Sequence, residues 1–167
     1  GGLDLVFPHH ENEIAQSEAL TDKSWVKYWI HNGFVTVDRE KMSKSLGNVF
    51  KLQEILKQYD PMVVRFFLTS THYRSPIDYT TDNIESARRS YQNLAKSVDD
   101  ALFAAEHKAE TTEIVSREVK KIFEGYEGRF LAAMDDDLNT AGAMAAIFEL
   151  ANFGNKLTAD PSTSAHA

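Results

Sequence analysis

One stretch of this chain has no place in a core. Glu40-Lys41-Met42-Ser43-Lys44-Ser45-Leu46-Gly47-Asn48 sets two lysines three residues apart, with two serines and a Gly-Asn pair close by. Two ammonium groups and two hydroxyls at this spacing belong on an exposed loop, within reach of one polyanion. Lysine is a compact, mobile point charge that can follow a phosphate as charge moves. Gly47 and Asn48 both tolerate positive φ, so the loop can turn tightly behind them. The bland reading of two such lysines is a solvated basic loop. The string also divides the chain. Before it, Phe34-Val35-Thr36-Val37 alternates as a strand, and Asp38-Arg39 turns it back toward Lys41. After it the pattern becomes helical.

The chain has 167 residues, 43% hydrophobic and 26% charged, enough for one core or a small core with a helical appendage. No apolar run approaches the roughly 18 residues of a membrane span. Gly1-Gly2-Leu3-Asp4 carries no basic segment followed by an apolar one, so it does not read as a signal peptide, and the expectation is a start inside a longer protein. Cysteine is absent, which excludes disulfides and thiolate metal ligands within the chain and leaves the cytoplasm as the default location. With 25 acidic against 18 basic residues, the net charge is −7, so any RNA contact must use a local basic patch.

Gly1 to Pro8 reads as a tight turn entering a short apolar strand end. Glycine lets a backbone approach a ligand and a carboxylate accepts hydrogen bonds from a diol, although an ordinary turn accounts for the same residues. Pro8 suits the first turn of a helix over Pro8-His9-His10-Glu11-Asn12-Glu13, with acidic residues where the helix dipole favours them. At helical spacing His9 and Glu13 share a face, either as a surface pair or as two ligands for one divalent ion. Trp25, Tyr28 and Trp29 are spaced for a core-facing helical stripe closed by Asn32-Gly33; His31 reads as structural.

Leu52, Ile55, Leu56 and Tyr59 predict a helix, and Asp60-Pro61 caps the next one, which carries Val63, Val64, Phe66, Phe67 and Leu68 around Arg65. His72 to Tyr79 is a loop with an extended end; its Arg74 is a surface residue or a phosphate contact. From Thr80 or Thr81 a long helix runs to about Glu106, with Ile84, Ala87, Tyr91, Leu94, Val98, Ala101 and Leu102 on one stripe. Residues 107–112 form a polar interhelical loop. A second helix spans roughly Glu113 to Met134, and Asp135-Asp136-Asp137-Leu138-Asn139-Thr140 breaks it and caps a third. Three consecutive Asp do not share a helix face, so turn and cap outweigh metal there.

Lys41-Met42-Ser43-Lys44-Ser45 resembles the signature loop of class I aminoacyl-tRNA synthetases, which closes over ATP and stabilises the departing pyrophosphate. Phe7-Pro8-His9-His10-Glu11-Asn12-Glu13-Ile14-Ala15-Gln16-Ser17-Glu18-Ala19 is similar to cysteinyl-tRNA synthetases specifically, and Phe130-Leu131-Ala132-Ala133-Met134-Asp135-Asp136-Asp137-Leu138-Asn139-Thr140 resembles their anticodon-binding helical domain. The resemblance spans residues 1 to 157. It implies a mostly α chain: the C-terminal end of a Rossmann-type catalytic domain over 1–79, an incomplete helical tRNA-binding domain over 80–157, and a disordered tail over 158–167.

The resemblance further implies catalytic roles for Lys41 and Lys44, and nucleotide contacts from Gly2, Asp4 (on the ribose), Lys44 and Ser45. It gives zinc two ligands, His9 and Glu13, the family's two cysteines lying before this stretch. The implied substrates are L-cysteine, ATP with Mg²⁺ and tRNA(Cys), in a monomeric full-length protein with no membrane partner. The family's N-terminal phosphate-binding His motif and most of its nucleotide sheet are not in these residues, so the chain is expected to be inactive alone. Two other readings share parts of the pattern. One is the cysteine:glucosamine-inositol ligase of mycothiol synthesis, against which the Glu-Asn-Glu string and the helical domain weigh. The other is a non-catalytic RNA-binding remnant.

Overall fold

The computed structural model describes residues 1–38, 40–42, 51–107 and 117–159. Two compact units share the chain. The first comprises Gly1–Phe50 with Tyr73–Thr80, the second Lys51–His72 with Thr81–Ala167. The helices at 52–69 thus group with the long helices.

In the first unit a 3₁₀ turn at Leu3–Leu5 runs into a wide, π-type turn at Val6–His10 and then helix α1, Glu11–Thr21. The expected strand end is corrected here. Gly2 is extended and bridges to Asn32, Phe7 is extended without entering a strand, and the Leu5 N–H closes the turn onto the Gly2 carbonyl at 3.1 Å. Asp22, at φ 51°, terminates α1 by donating its N–H to the Glu18 carbonyl at 2.8 Å.

The Trp25–Trp29 helix does not form. That segment is irregular, with Tyr28 83% exposed. Left-handed Asp22 turns the chain out of helical register. Trp29 then spends its ring on an aromatic stack rather than on a helix face.

Strands β1 (Val35–Val37), β2 (Glu40–Lys41) and β3 (Ile77–Tyr79) form a sheet in the order β2-β1-β3. β1 and β2 are antiparallel with Thr36 opposite Lys41, and β1 and β3 are parallel with Thr36 opposite Asp78. Asp38 makes the turn at φ 51°, a conformation Asp tolerates better than most residues. The Thr36 hydroxyl donates to Asp78 Oδ1 at 2.7 Å, tying β1 to β3 by side chain as well as by backbone. Gly33 enters the sheet under a strict constraint. Its N–H donates to the Tyr73 carbonyl at 2.6 Å, and a Cβ there would lie 2.2 Å from the Ser75 carbonyl oxygen.

The second unit is helical: α2 (Leu52–Gln58), α3 (Pro61–Thr69), α4 (Thr81–His107), α5 (Arg117–Asp135) and α6 (Thr140–Ala159). Asp60 caps α3 as expected, accepting the Met62 N–H at 2.7 Å with Pro61 in the first turn. α3 presents Val63, Val64 and Phe67 to the core, α4 presents Ile84 and Ala87, and α6 presents Ala143 and Ala146. Small alanines on α6 let it pack closely on α4 and α5. Ile84 has no solvent exposure, and burial of such a side chain contributes about 2 kcal/mol. Arg65 faces solvent.

The expected stripe along α4 is buried only near its start, since Val98 and Leu102 remain 52% and 57% exposed. Asn139 caps α6 by accepting the Gly142 N–H at 2.9 Å, and Asp137 and Leu138 make the preceding turn, both at φ 55°. α6 continues through Ala159, two residues into the segment expected to be disordered. Residues 160–167, the loop at 108–112 and the proposed helix start at 113–116 lie outside the described residues.

Candidate functional site

The turn at Gly1–His10 and the first turn of α1 bring one set of candidate residues together. His9 Nε2 lies 3.5 Å from Glu13 Oε1, so helical spacing does make imidazole and carboxylate converge. Both side chains are accessible, at 62% and 42% exposure. These are donor types that zinc accepts, and the pair fits two positions of a tetrahedral site. The described residues contain no group of three or more His, Cys, Asp or Glu side chains able to hold a metal. The pair therefore supplies two donors of a site and not a complete one. Asp137 adopts φ 55° in the turn before α6.

Gly2 and Asp4 are also brought together. The Asp4 carboxylate folds back over Gly2, and a Cβ on Gly2 would lie 2.6 Å from Asp4 Oδ1. Glycine here lets an accessible carboxylate stand directly against the main chain, an arrangement able to accept hydrogen bonds from a diol. Lys41 ends the β1–β2 hairpin, with its backbone opposite Thr36. Lys44 and Ser45 lie outside the described residues.

An aromatic cluster beneath His9 was not read as a unit from the sequence. His10 is 7% exposed, the one buried polar residue among those described. Its ring lies 5.8 Å edge-on from His9, 5.0 Å from Trp29 and 5.1 Å from His31, stacked on the latter at 24°. Trp25 meets Trp29 edge-on at 5.9 Å. His10 Nδ1 and His31 Nδ1 are buried with no hydrogen-bond partner among the described residues. Adjacent histidines were the available signal, but ring stacking across about 20 residues of irregular chain has no periodic signature.

The Arg74 guanidinium sits 5.3 Å over the Tyr73 ring. Arg88 is engaged with Glu85 one turn earlier on α4, and Arg89 faces solvent. Desolvation raises the Tyr79 phenol above its ordinary value.

Comparison with known proteins follows the same division. The family described as tRNA synthetases class I (C) catalytic domain matches residues 1–89, and the DALR domain matches residues 129–167. A cysteine–tRNA ligase of Geobacter sp. strain M21 is 49% identical over 162 residues, covering 93% of this chain and 33% of the relative. One of Bacillus licheniformis is 45% identical over 166 residues, covering 99% and 35%. One of Thermococcus onnurineus is 48% identical over 162 residues, covering 93% and 33%. The chain spans about a third of the length of these curated relatives. With more than half of its residues inside the first match, the chain belongs to the family of class I (C) tRNA synthetase catalytic domains.

Proposed function

We propose that this chain is the signature-loop and helical portion of a cysteine–tRNA ligase. The complete protein activates L-cysteine with ATP to cysteinyl-adenylate and transfers the acyl group to tRNA(Cys) in the cytoplasm. The observation that carries this reading is the convergence at 3.5 Å of His9, in the turn before α1, and Glu13, in the first turn of α1, one short turn from the Gly2–Asp4 pair. A metal-donor pair and a diol acceptor within ten residues suit a site that takes an amino acid and a nucleotide side by side. The high identity to cysteine–tRNA ligases supports the same assignment.

In the activation step the cysteine carboxylate attacks the α-phosphorus of Mg²⁺-bound ATP. A carboxyl O–P bond forms as the bond to pyrophosphate breaks, and negative charge grows on the leaving oxygens. Lys44, assisted by Lys41 at the end of β2, neutralises that charge. Asp4 accepts the ribose hydroxyls and fixes the nucleotide, with Gly2 and Ser45 lining the same nucleotide. The terminal ribose hydroxyl of tRNA then displaces AMP from the acyl carbon, with the helical unit gripping the tRNA. His9 and Glu13 would hold zinc together with donors from outside the described residues. When bound, the ion offers a soft position that prefers a thiolate to an alcohol, which separates cysteine from serine.

Cysteine-dependent ATP–pyrophosphate exchange on a full-length protein carrying this segment tests the reading. Lys44→Ala is expected to lower that exchange about a hundredfold while leaving cysteine binding nearly unchanged. A variant rate within about threefold of the parent overturns the role of Lys44. A parent with no cysteine-dependent exchange overturns the function itself.

A further inference from the structure

The small sheet carries an inference beyond the donor pair. One row crosses its three strands, with Lys41 of β2 and Asp78 of β3 both standing opposite Thr36 of β1. The other face pairs Val35 with Ile77 and Val37 with Tyr79. That alternation opposes a slip by one residue, because the apolar set would change sides. It does not oppose a slip by two, which keeps every face and moves a strand by about 7 Å. β1 and β3 have three residues each and β2 has two, so the backbone ladder is short. The bond between Thr36 and Asp78 supplies what the ladder lacks. The Thr36 hydroxyl lies 2.7 Å from Asp78 Oδ1 and 3.5 Å from the Ile77 carbonyl oxygen, so its proton goes to the carboxylate. Hydrogen bonds to an ionised acceptor are the stronger class, and both residues are half-buried. Asp is a poor strand residue, and valine at 78 would suit β3 better. The carboxylate meets Thr36 in one register only.

We propose that Thr36 and Asp78 are positioning residues for Lys41, a role that rests on the cysteine-activation reading above. Thr36 is the neighbour that Lys41 and Asp78 share across the sheet. Asp78 pins β1 to β3, and β2 takes its place from β1 through the hairpin. The chain therefore enters the lysine string from a fixed station at Lys41. Neither positioning residue touches substrate; both act through the backbone of the hairpin. A two-residue slip would displace Lys41 by far more than the roughly 1 Å that already matters to a group acting on a transition state.

The test uses a full-length protein carrying this segment. Asp78→Val and Thr36→Val remove the bond and keep strand propensity, while Asp78→Asn keeps an acceptor and Thr36→Ser keeps a hydroxyl. Melting temperature is read for each variant, with kcat and KM for cysteine in pyrophosphate exchange. All are repeated beside Lys41→Ala. Each valine variant is expected to lower kcat about tenfold, with KM for cysteine and melting temperature near the parent. Asp78→Asn and Thr36→Ser are expected to recover most of that loss. Beside Lys41→Ala the valine substitutions are expected to cost nothing further, because they act through that residue. A valine loss that persists in full beside Lys41→Ala overturns the proposal, as do kinetics equal to the parent. A lower melting temperature with kcat and KM changed together makes the bond an ordinary structural one and equally overturns it. If Asp78→Val does not fold, Thr36→Val against Thr36→Ser decides the same point. A parent without cysteine-dependent exchange overturns the reading beneath this role and the role with it, whereas an active parent with additive variants overturns the role alone.

Discussion

Glu85 stands near the start of α4, and Arg88 one turn later donates to its Oε2 from both Nε, at 2.9 Å, and Nη2, at 2.6 Å. The Arg88 hydrogen bond is the largest influence and holds the Glu85 carboxyl below its ordinary value; partial desolvation opposes it, and Tyr59 adds a further hydrogen bond. A carboxyl whose folded pKa is depressed contributes stability above its unfolded pKa and loses it as pH falls through the folded one. Arg88→Gln is therefore expected to move the Glu85 titration upward, toward an ordinary carboxylate, and to remove its share of acid-side stability. Carboxyl-carbon NMR over an acid titration reads this directly, and an unmoved Glu85 would refute the assignment. The engagement of Arg88 with Glu85 was not read from the sequence. Side chains at i and i+3 can meet without doing so, and a charge already committed to a carboxylate is less available to a phosphate.

At the scale of elements, helix starts were the most legible feature because their chemistry is local. Asp60-Pro61 states both the cap and the first turn of α3, and the cap bond is present at 2.7 Å. Asp60→Ala is expected to destabilise the helical unit by about 1 kcal/mol and to speed hydrogen exchange at the Met62 amide. A denaturation midpoint and Met62 exchange both equal to the parent would show that the cap contributes nothing. The hairpin β1–β2 was legible for the same reason, since alternation and an Asp turn are decided within a few residues. The Trp25–Trp29 helix was misread because helical spacing of aromatics is equally satisfied by a loop whose rings stack elsewhere. The spacing says nothing of His10 and His31, which take Trp29 as their neighbour. Gly33 was read as a helix stop. Its use is close backbone approach to Tyr73–Ser75, a contact across 40 residues that no local rule could show.

For the whole molecule, the donor count decides how zinc behaves. His9 and Glu13 converge, the described residues offer no third donor beside them, and the chain has no cysteine. Zinc sites of this class use three or four protein ligands, and each thiolate adds strongly to affinity. The 167-residue chain alone is expected to retain well under one zinc per molecule after dialysis. A chain extended to the length of its relatives is expected to retain about one. Elemental analysis of both forms checks this, and stoichiometric zinc in the short form would mean that donors other than this pair suffice. The division into units follows a similar logic. The helices α2 and α3 group with α4–α6, because compactness follows the faces that Val63, Val64 and Phe67 bury rather than the order of the chain.

The amino-acid sequence by itself determined the short-range features: the His9–Glu13 spacing, the caps at Asp60 and Asn139, and the family resemblance carried by three unbroken motifs. Each depends on residues within about a helical turn of one another or on consecutive identities, so little tertiary information is needed. Only the tertiary structure decided the rest. It turned the Gly1–Pro8 segment into successive tight turns, folded Asp4 over Gly2, seated Gly33 against Ser75, and stacked His10 on His31 with their nitrogens unpartnered. Those outcomes depend on which distant backbone and ring surfaces meet. Such choices are settled by packing and burial over the whole unit, where many sequences of the same local pattern have different answers.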